Sequence, residues 1–451
     1  MKVIHEIQNY FKEFIPQNPR GVYRGNWGLD GVKKLAKFLG APQEKYQVVH
    51  IAGTSGKGST AYLTATALSS QNIKVGLHVS PFILDFREAF TINGKFLAEN
   101  KLKEYFIEFK NKVAKFKLEN PDNFTYYELL ACFSYFVFYK EKVAVAVVEV
   151  GLGGLYDCTN IVKNPTKISV ISKIGYDHQE ILGKTISQLT TQKCGIIQPK
   201  NTVISIKQDY LQATKIIIKT ASLQGSKLIT VNKAADFQLK TQPNRFYYAG
   251  QRIQQNFELS LLGSFQLENA CLALASFEQA TLNLKIEKLN LPNLSKAFIN
   301  LKIPARMDLK NFQNKQILLD GAHNFQKMSE LIQNLKKLFP KNKYTFLVSF
   351  LQGKDYKKML GLICPVAEKL VYSDFTVTTQ ALYKKSVNFT DCQKILKKLN
   401  FKNYTYQPDL EEAFEKTLSK KTKEELVVAT GSLYFLSKLY EVLEVSSAAK
   451  N

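Results

Sequence analysis

The segment VVHIAGTSGKGST, residues 48–60, limits what this chain can fold into more than any other. Its apolar first half has the length and composition of a buried strand, and Gly53-Thr54-Ser55-Gly56-Lys57-Gly58-Ser59 turns out of it into a helix expected to begin near Ser59 and to include Thr60. Glycines at 53, 56 and 58 omit the β-carbons that would hold an anion away, so successive backbone N–H groups can converge on a phosphate at the helix N-terminus. Lys57 adds a point charge. The strict pattern G-x-x-x-x-G-K-[ST] is not met: Ile51 stands at its first glycine, and Gly58 follows the lysine, with Ser59 one place late. A turn of this kind also serves as an ordinary strand-to-helix connection, so the rest of the chain has to decide.

Downstream, residues 73–79 read as a second strand ending on Ser80-Pro81, and strand, helix and strand within about thirty residues make a βαβ unit and a parallel sheet. Helical patterns over 102–116 and 126–139 lead to 143–148, a continuous apolar run typical of a strand covered on both faces. It ends in Glu149. Parallel sheets gather ligands at the carboxyl ends of their strands, which points Glu149 toward the phosphate loop; the alternative is a carboxylate capping a neighbouring helix. Gly151-Leu152-Gly153-Gly154 asks for bare backbone, and Asp157-Cys158-Thr159-Asn160 is turn chemistry. A strand over 168–171 leads into Gly175-Tyr176-Asp177-His178, and Thr185 suits the cap of a helix running through Lys193 to Ile197.

The alternation continues through 202–206, 212–224 and 228–231. Residues 1–47 read as helical, with Gly28-Leu29-Asp30 opening one helix; 237–262 read as antiparallel hairpins, and 263–281 as a helix carrying Asn269. Periodicity breaks between Leu291 and Pro304. Strands at 316–319, 344–350, 369–372 and 426–429 then form a second, smaller doubly wound set, and the tail beyond Ser446 is expected to fray. The expected fold class is α/β: a mostly parallel sheet domain bearing the phosphate loop, residues 1–298, and a smaller Rossmann-like domain, 299–451.

Composition narrows the function. With 45% hydrophobic residues, the 451-residue chain can bury sizeable cores. Its formal charge of +24 permits nucleic acid or an anionic substrate as partner. The lysines, however, come in scattered pairs such as Lys357-Lys358 and Lys397-Lys398, at the spacing of solvated helix faces and without an aromatic-interleaved stripe, which argues against nucleic acid. Six cysteines lie far apart with no C-x-x-C, as small buried hydrophobes in a reducing compartment do. No apolar run approaches the ~18 residues of a membrane span, and the charged amphipathic N-terminus is unlike a signal peptide. A cytoplasmic protein with no membrane partner is expected.

Eight motifs in order, AGTSGKGST, VSPF, EVGLGGLYDCTN, IGYDHQEILGKT, QKCGIIQP, LLGSFQLENA, LDGAHN and TGSLY, resemble the folylpolyglutamate synthase and dihydrofolate synthase family of the Mur ligase superfamily, over residues 28–434. The resemblance implies a reaction in which ATP activates a folate or dihydropteroate carboxylate as an acyl phosphate and the amine of L-glutamate displaces phosphate. Such chemistry needs cradled phosphates, a divalent metal and a fixed place for carboxylate and amine.

By position, the resemblance puts the ATP phosphates on Gly53, Thr54, Ser55, Gly56, Lys57, Gly58, Ser59 and Thr60, and magnesium on Ser80, Glu149 and His178. A second magnesium would be held through Lys193, carbamylated by carbon dioxide. Histidine is unusual for a hard ion, and a helix lysine is ordinarily solvated, but Cys194, Gly195 and Ile196 suggest a lined cleft around this one. The resemblance further implies that Asn269, Arg306 and Asp320 hold the base and ribose, pinning ATP between domains. His323, Ser432 and Tyr434 fall near the glutamate region, and Phe82, Asp157 and Thr159 on the acceptor side; Lys57, Lys193 and His323 are the expected catalytic set, in a monomer.

Two departures bear on the acceptor: Phe82 stands where the family commonly has histidine, and Leu155 where arginine is frequent. Two readings compete. A peptidoglycan Mur ligase generally carries a further N-terminal domain, whereas about fifty residues precede Gly53 here. A basic nucleic-acid-associated NTP-binding protein is favoured by charge alone.

Overall fold

The apolar run before the phosphate loop folds as β1 (Gln47–Ala52), buried along its whole length and hydrogen-bonded on both sides to parallel strands. With β2 (Val75–His78), β3 (Thr91–Ile92), β4 (Val145–Glu149), β5 (Ile168–Ile171), β6 (Thr202–Ile206) and β7 (Lys227–Val231) it makes a seven-stranded sheet in the order β3-β2-β4-β1-β5-β6-β7. All pairings are parallel except that of β3, which lies antiparallel on β2 at one edge. The chain lays β2 and β4 on one side of β1 and β5 on the other, so the winding reverses at β1 and leaves a crevice at its carboxyl end. Register sets Glu149 beside Ile51 and Ile171 beside Ala52, which brings three strand ends to one level.

The computed structural model describes residues 2–15, 29–120, 124–232, 237–239, 244–313, 315–379, 382–418 and 425–448. They form two compact units, one of residues up to Ser260 together with Phe265–Leu301, the other of Leu261–Ser264, Lys302–Thr379 and the chain beyond Tyr383. In the first, α1 (Lys2–Lys12) buries Ile7 and Phe11 against α3 (Glu99–Glu119) and α4 (Tyr126–Lys140), the phosphate-loop helix α2 (Lys57–Ser69) lying between them in sequence. Phe133 of α4 meets Phe11, Phe90, Phe106 and Phe109 edge-on or tilted, with centroids 5.1–6.4 Å apart. A Thr125–Glu128 capping box starts α4, and burial on all sides explains why its sequence is apolar without a period. No described helix is long and apolar enough to cross a membrane.

The segment read as hairpins forms a three-stranded antiparallel sheet of β8 (Phe237–Leu239), β9 (Arg245–Ala249) and β10 (Gln254–Glu258). Residues 16–27, read as helical, and Gly28, read as opening the helix Asp30–Phe38, lie outside the described residues. The second unit holds a six-stranded sheet, β11-β12-β18-β13-β14-β17. Its members are β11 (Asp308–Phe312), β12 (Lys315–Asp320), β13 (Lys343–Val348), β14 (Ala367–Tyr372), β17 (Tyr404–Tyr406) and β18 (Glu425–Thr430), with β15 (Thr376–Thr379) and β16 (Leu382–Lys385) as a separate pair. It is parallel except for the edge strand β11, which had no signal in the sequence.

Two expectations are corrected. The presumed break after Leu291 is largely a helix, Leu291–Asn300: Asn290 accepts from Asn293 N at 3.0 Å as its cap, Pro292 sits in the first turn where its missing N–H costs nothing, and Leu294 and Phe298 are buried. The last helix runs Leu433–Ala448, two residues past Ser446 where fraying was expected to begin, and residues 449–451 lie outside the described residues. Replacing Asn290 with alanine should lower stability by about 1 kcal/mol, read as a shifted urea midpoint with unchanged catalytic constants; an unshifted midpoint would show that the cap contributes nothing.

Candidate active site

The phosphate loop is shaped by what fills the space its glycines vacate. A β-carbon at Gly53 would lie 1.9 Å from Ser172 Oγ, at Gly56 2.3 Å from Asn269 Oδ1, and at Gly58 3.1 Å from Glu149 Oε2. Gly56 also takes a left-handed φ of 87°, which lets α2 begin at Lys57, two residues earlier than its sequence suggests. The amides of Thr54 and Ser55 donate to Lys173 O at 2.8 and 3.2 Å, and Thr54 Oγ1 exchanges hydrogen bonds with Gly175 N and O at 3.0 Å. Those two amides are thus committed to the fold. The N–H groups that a helix start leaves without internal partners are those of Gly56, Lys57, Gly58 and Ser59, so the expected cradle is narrower than the full loop. Ser59 and Thr60 are buried, and Thr60 Oγ1 has no hydrogen-bond partner among the described residues.

Glu149, the last residue of β4, turns toward this helix start. Its Oε1 lies 3.8 Å from Lys57 Nζ, and its Oε2 accepts the Ser80 amide at 3.4 Å. Asp157 is close by: a β-carbon at Gly151 would stand 3.3 Å from Asp157 Oδ2 and 3.8 Å from Ser80 Oγ. Burial pushes the Asp157 carboxyl up, against hydrogen bonds from Thr159 and Leu152 and the charge of Lys57. Phe82 is half-buried, edge-on to Phe86 at 5.8 Å, on the margin of the aromatic core.

Lys193 lies one residue before the end of the helix Ile186–Cys194, which Thr185 caps reciprocally with Gln188, as the sequence suggests. The Gly-rich turn exists to receive this helix. A β-carbon at Gly154 would fall 2.8 Å from Gln192 O and 2.9 Å from Lys193 O, and Leu155 N donates to Gln192 O at 2.7 Å. Lys193 itself is buried, and no described residue makes an ion pair or hydrogen bond with its amine. Its pKa is lowered to about 7, chiefly by burial and secondly by the charge of Lys57, with Asp177 opposing both. Sequence reasoning missed what fixes the end of this helix: Asn160 Nδ2 donates to Gly195 O, while Lys167 Nζ and Ser169 Oγ donate to Ile196 O, each at 2.9 Å. A lysine and a serine at the edge of an apolar strand were the available signal.

His178 adopts a left-handed φ of 51° ahead of the short helix Gln179–Leu182, its side chain 39% exposed, with Nε2 3.8 Å from Asp177 Oδ1. Among the described residues no three His, Cys, Asp or Glu side chains form a metal-sized group. The expected metal set contains two such residues, Glu149 and His178, and relies for the rest on the Ser80 hydroxyl and a modified Lys193. The Glu149 carboxylate, the Ser80 hydroxyl and a carbamate are the hard oxygens magnesium takes, whereas His178 would offer a nitrogen.

In the second unit Asp320 ends β12 beside Thr430 of β18. Buried, with its pKa raised to about 6 despite the charge of Arg306, it accepts from Met307 N and Ala322 N at 2.9 Å. Arg306 closes over the same turn, its Nη1 2.9 Å from where a Gly321 β-carbon would be. His323 Nδ1 bonds Gly321 O at 2.7 Å and its Nε2 meets Lys327 Nζ at 3.0 Å, so this histidine holds the turn with both nitrogens engaged. Gly431 N donates to Ala322 O at 3.1 Å, which sets buried Ser432, and Tyr434 hydrogen-bonded to it, against that turn. Ser80, Glu149, Asp157, Lys193 and Asn269 thus gather around Lys57 in the first unit, and Arg306, Asp320, His323, Ser432 and Tyr434 in the second.

The family model described as "Mur ligase middle domain" matches residues 51–277, and that described as "Dihydrofolate synthetase, C-terminal domain" matches residues 305–442. Together with the phosphate loop at a sheet crevice, these define an ATP-dependent ligase of the Mur type. Within that class the chain belongs to the folylpolyglutamate synthase and dihydrofolate synthase family. It is 27% identical over 427 residues to the dihydrofolate synthase/folylpolyglutamate synthase of Bacillus subtilis (strain 168), covering 92% of this chain and 95% of that one. It is 31% identical over 333 residues to the folylpolyglutamate synthase of Lacticaseibacillus casei, covering 72% and 76%. A solved folylpolyglutamate synthase complex with AMPPCP and folate superposes with a TM-score of 0.80 at 26% identity, covering 98% and 99%.

The packing of the Gly-rich turn on the Lys193 helix is directly testable. Gly154→Ala should destabilise the protein by about 1–3 kcal/mol, because backbone atoms, not a flexible side chain, occupy the space the methyl group needs. Chemical denaturation reads the loss, and parental stability would mean that the turn can withdraw from the helix at no cost.

Proposed function

We propose that the chain is a cytoplasmic, monomeric ligase that joins L-glutamate to a folate or dihydropteroate carboxylate through an acyl phosphate made with ATP. What supports this reading most is the convergence at the ends of β1 and β4: Lys57 at the helix start, Glu149 3.8 Å away, and Ser80 on the other oxygen of that carboxylate. Lys57 and the first-turn amides hold the phosphates and neutralise charge that develops between them. Glu149, Ser80 and His178 supply the donors for magnesium, which when bound screens the phosphate oxygens from the approaching carboxylate. Gly58 leaves the Glu149 carboxylate open toward the loop. Asn269 serves the nucleotide in the first unit; within the second unit Arg306 and Asp320 are the ribose-binding residues, and Ser432 and Tyr434, with His323 holding their neighbouring turn, those for glutamate. Phe82, Asp157 and Thr159 face the acceptor.

Lys193 is the donor to a second magnesium after carbamylation, in which carbon dioxide bonds the neutral amine and one proton leaves. An ordinary lysine, titrating near 10.5, is neutral in only about one molecule in three thousand at pH 7; with its pKa at about 7, Lys193 is neutral in about half.

The assay is phosphate release with dihydropteroate and with tetrahydrofolate in turn, with and without L-glutamate. Release should need both acceptor and glutamate, and which pterin supports it tells first-glutamate addition from chain extension. Lys57→Ala should abolish it; turnover near the parent's in a folded variant would remove the central claim.

Lys193→Ala should be nearly inactive and partly restored by bicarbonate or small carboxylates, which return an oxygen ligand to the vacated space. Parental activity dependent on carbon dioxide should rise as pH passes upward through about 7, since the amine must lose its proton first. A fully active alanine variant sinks the carbamate.

A further inference from the structure

We propose that His50 positions the acceptor side of the site through a buried relay from His50 to Thr159 to Asp157. His50 sits in the middle of β1, among Val48, Val49, Ile51 and Ala52, and is fully buried. A buried imidazole in an apolar strand is costly unless hydrogen-bonded, and its Nε2 lies 2.8 Å from Thr159 Oγ1. That hydroxyl and the Thr159 amide both donate to Asp157 Oδ1, the amide at 3.0 Å. The other oxygen, Oδ2, accepts Leu152 N at 2.7 Å and faces the space beside Gly151 that Ser80 Oγ also borders. The relay thus runs from the strand that carries the phosphate loop to the turn on the acceptor side.

With Asp157 ionised, its proton directions follow. An ionised carboxylate only accepts, so the single proton of Thr159 Oγ1 goes to Asp157, and the hydroxyl lone pair must receive a proton from His50 Nε2. The imidazole is therefore protonated on Nε2. Consistent with that, Nδ1 has no partner among the described residues, which is tolerable for a bare lone pair and costly for a buried N–H. Burial, with the nearby charges of Lys167 and His78, holds the ring neutral. Tyr135 OH already fixes the Thr159 backbone by donating to its carbonyl at 2.8 Å, so what His50 adds is the orientation of the hydroxyl and, through it, of the carboxylate.

The proposal rests on the reading that residues 151–159 face the pterin acceptor, and the test separates the two claims. Acceptor KM and ATP KM are measured for His50→Leu, His50→Gln and Asp157→Asn, beside thermal melts. His50→Leu should raise acceptor KM at least about tenfold and leave ATP KM within about twofold. His50→Gln, whose amide donates at nearly the reach of Nε2, should recover most of the loss; a purely structural role would show in the melts of both and in neither KM.

If His50→Leu does not fold, Thr159→Val cuts the relay at its middle and should raise acceptor KM alike. Acceptor KM raised in Asp157→Asn but parental in His50→Leu overturns the relay alone. Parental values in both overturn the placement of the acceptor and the relay with it. Equal losses in the leucine and glutamine variants also overturn the relay, since donation from position 50 would then be irrelevant.

Discussion

The site depends on an exchange of volume: backbone gives up β-carbons, and polar groups from distant segments occupy the space. Ser172, Asn269 and Glu149 stand where side chains at 53, 56 and 58 would be, and the carbonyls of Gln192 and Lys193 stand where one at 154 would be. None of these neighbours is local in sequence. The phosphate loop is therefore a product of the finished sheet, and its geometry tightens only once β4, β5 and the 264–283 helix are in place. Interiors packed to crystal density leave little slack for such contacts, which is why a loop built from the most permissive residue ends up narrowly defined. The same packing spends the Thr54 and Ser55 amides on Lys173 and concentrates what remains for an anion on the first turn of one helix.

This dependence explains which features were legible in the sequence. β1, β4 and β5 are covered on both faces, so their continuous apolar runs gave strand and approximate limits together. Glu149 was legible because a charge at the end of such a run is costly unless it reaches a site. Capping chemistry made Thr185 readable for the same local reason. Features set by tertiary partners were not. Asn290 and Pro292 looked like linker residues, although asparagine before proline is also how a helix can start; only the burial of Leu294 and Phe298 decides between the two. The edge strand β11 is half exposed and mixed in composition, so it carried no pattern beyond its hydrogen bonds to β12.

The polar interior of the first unit shows the same limit more sharply. His50 reads in sequence as one more residue of an apolar strand, and Thr159 as part of a turn; their meeting follows from β1 lying beside β4, whose following turn swings back beneath it. Likewise His323, expected among the catalytic groups, has both ring nitrogens engaged by Gly321 and Lys327. A histidine between Ala322 and Asn324 gives no hint of a lysine one helical turn onward reaching back to it, although a spacing of four residues permits it.

Lys167 and Lys193 show why residue type alone cannot assign chemistry. Burial lowers both to about 7, and neither has a carboxylate at ion-pair distance among the described residues. Their surroundings differ in what they leave the amine to do. Lys167 Nζ is directed at Ile196 O at 2.9 Å and Asn160 Oδ1 at 3.4 Å, at the carboxyl end of a helix where positive charge is favoured, so its protons are committed to structure. Lys193 has no such acceptors among the described residues, and the like charge of Lys57 adds to burial in disfavouring its ammonium form. An amine that burial and a like charge keep near neutrality, with no acceptor to hold its protons, has a lone pair to offer. Of these two buried lysines, the fold makes one a clamp and leaves the other chemically available.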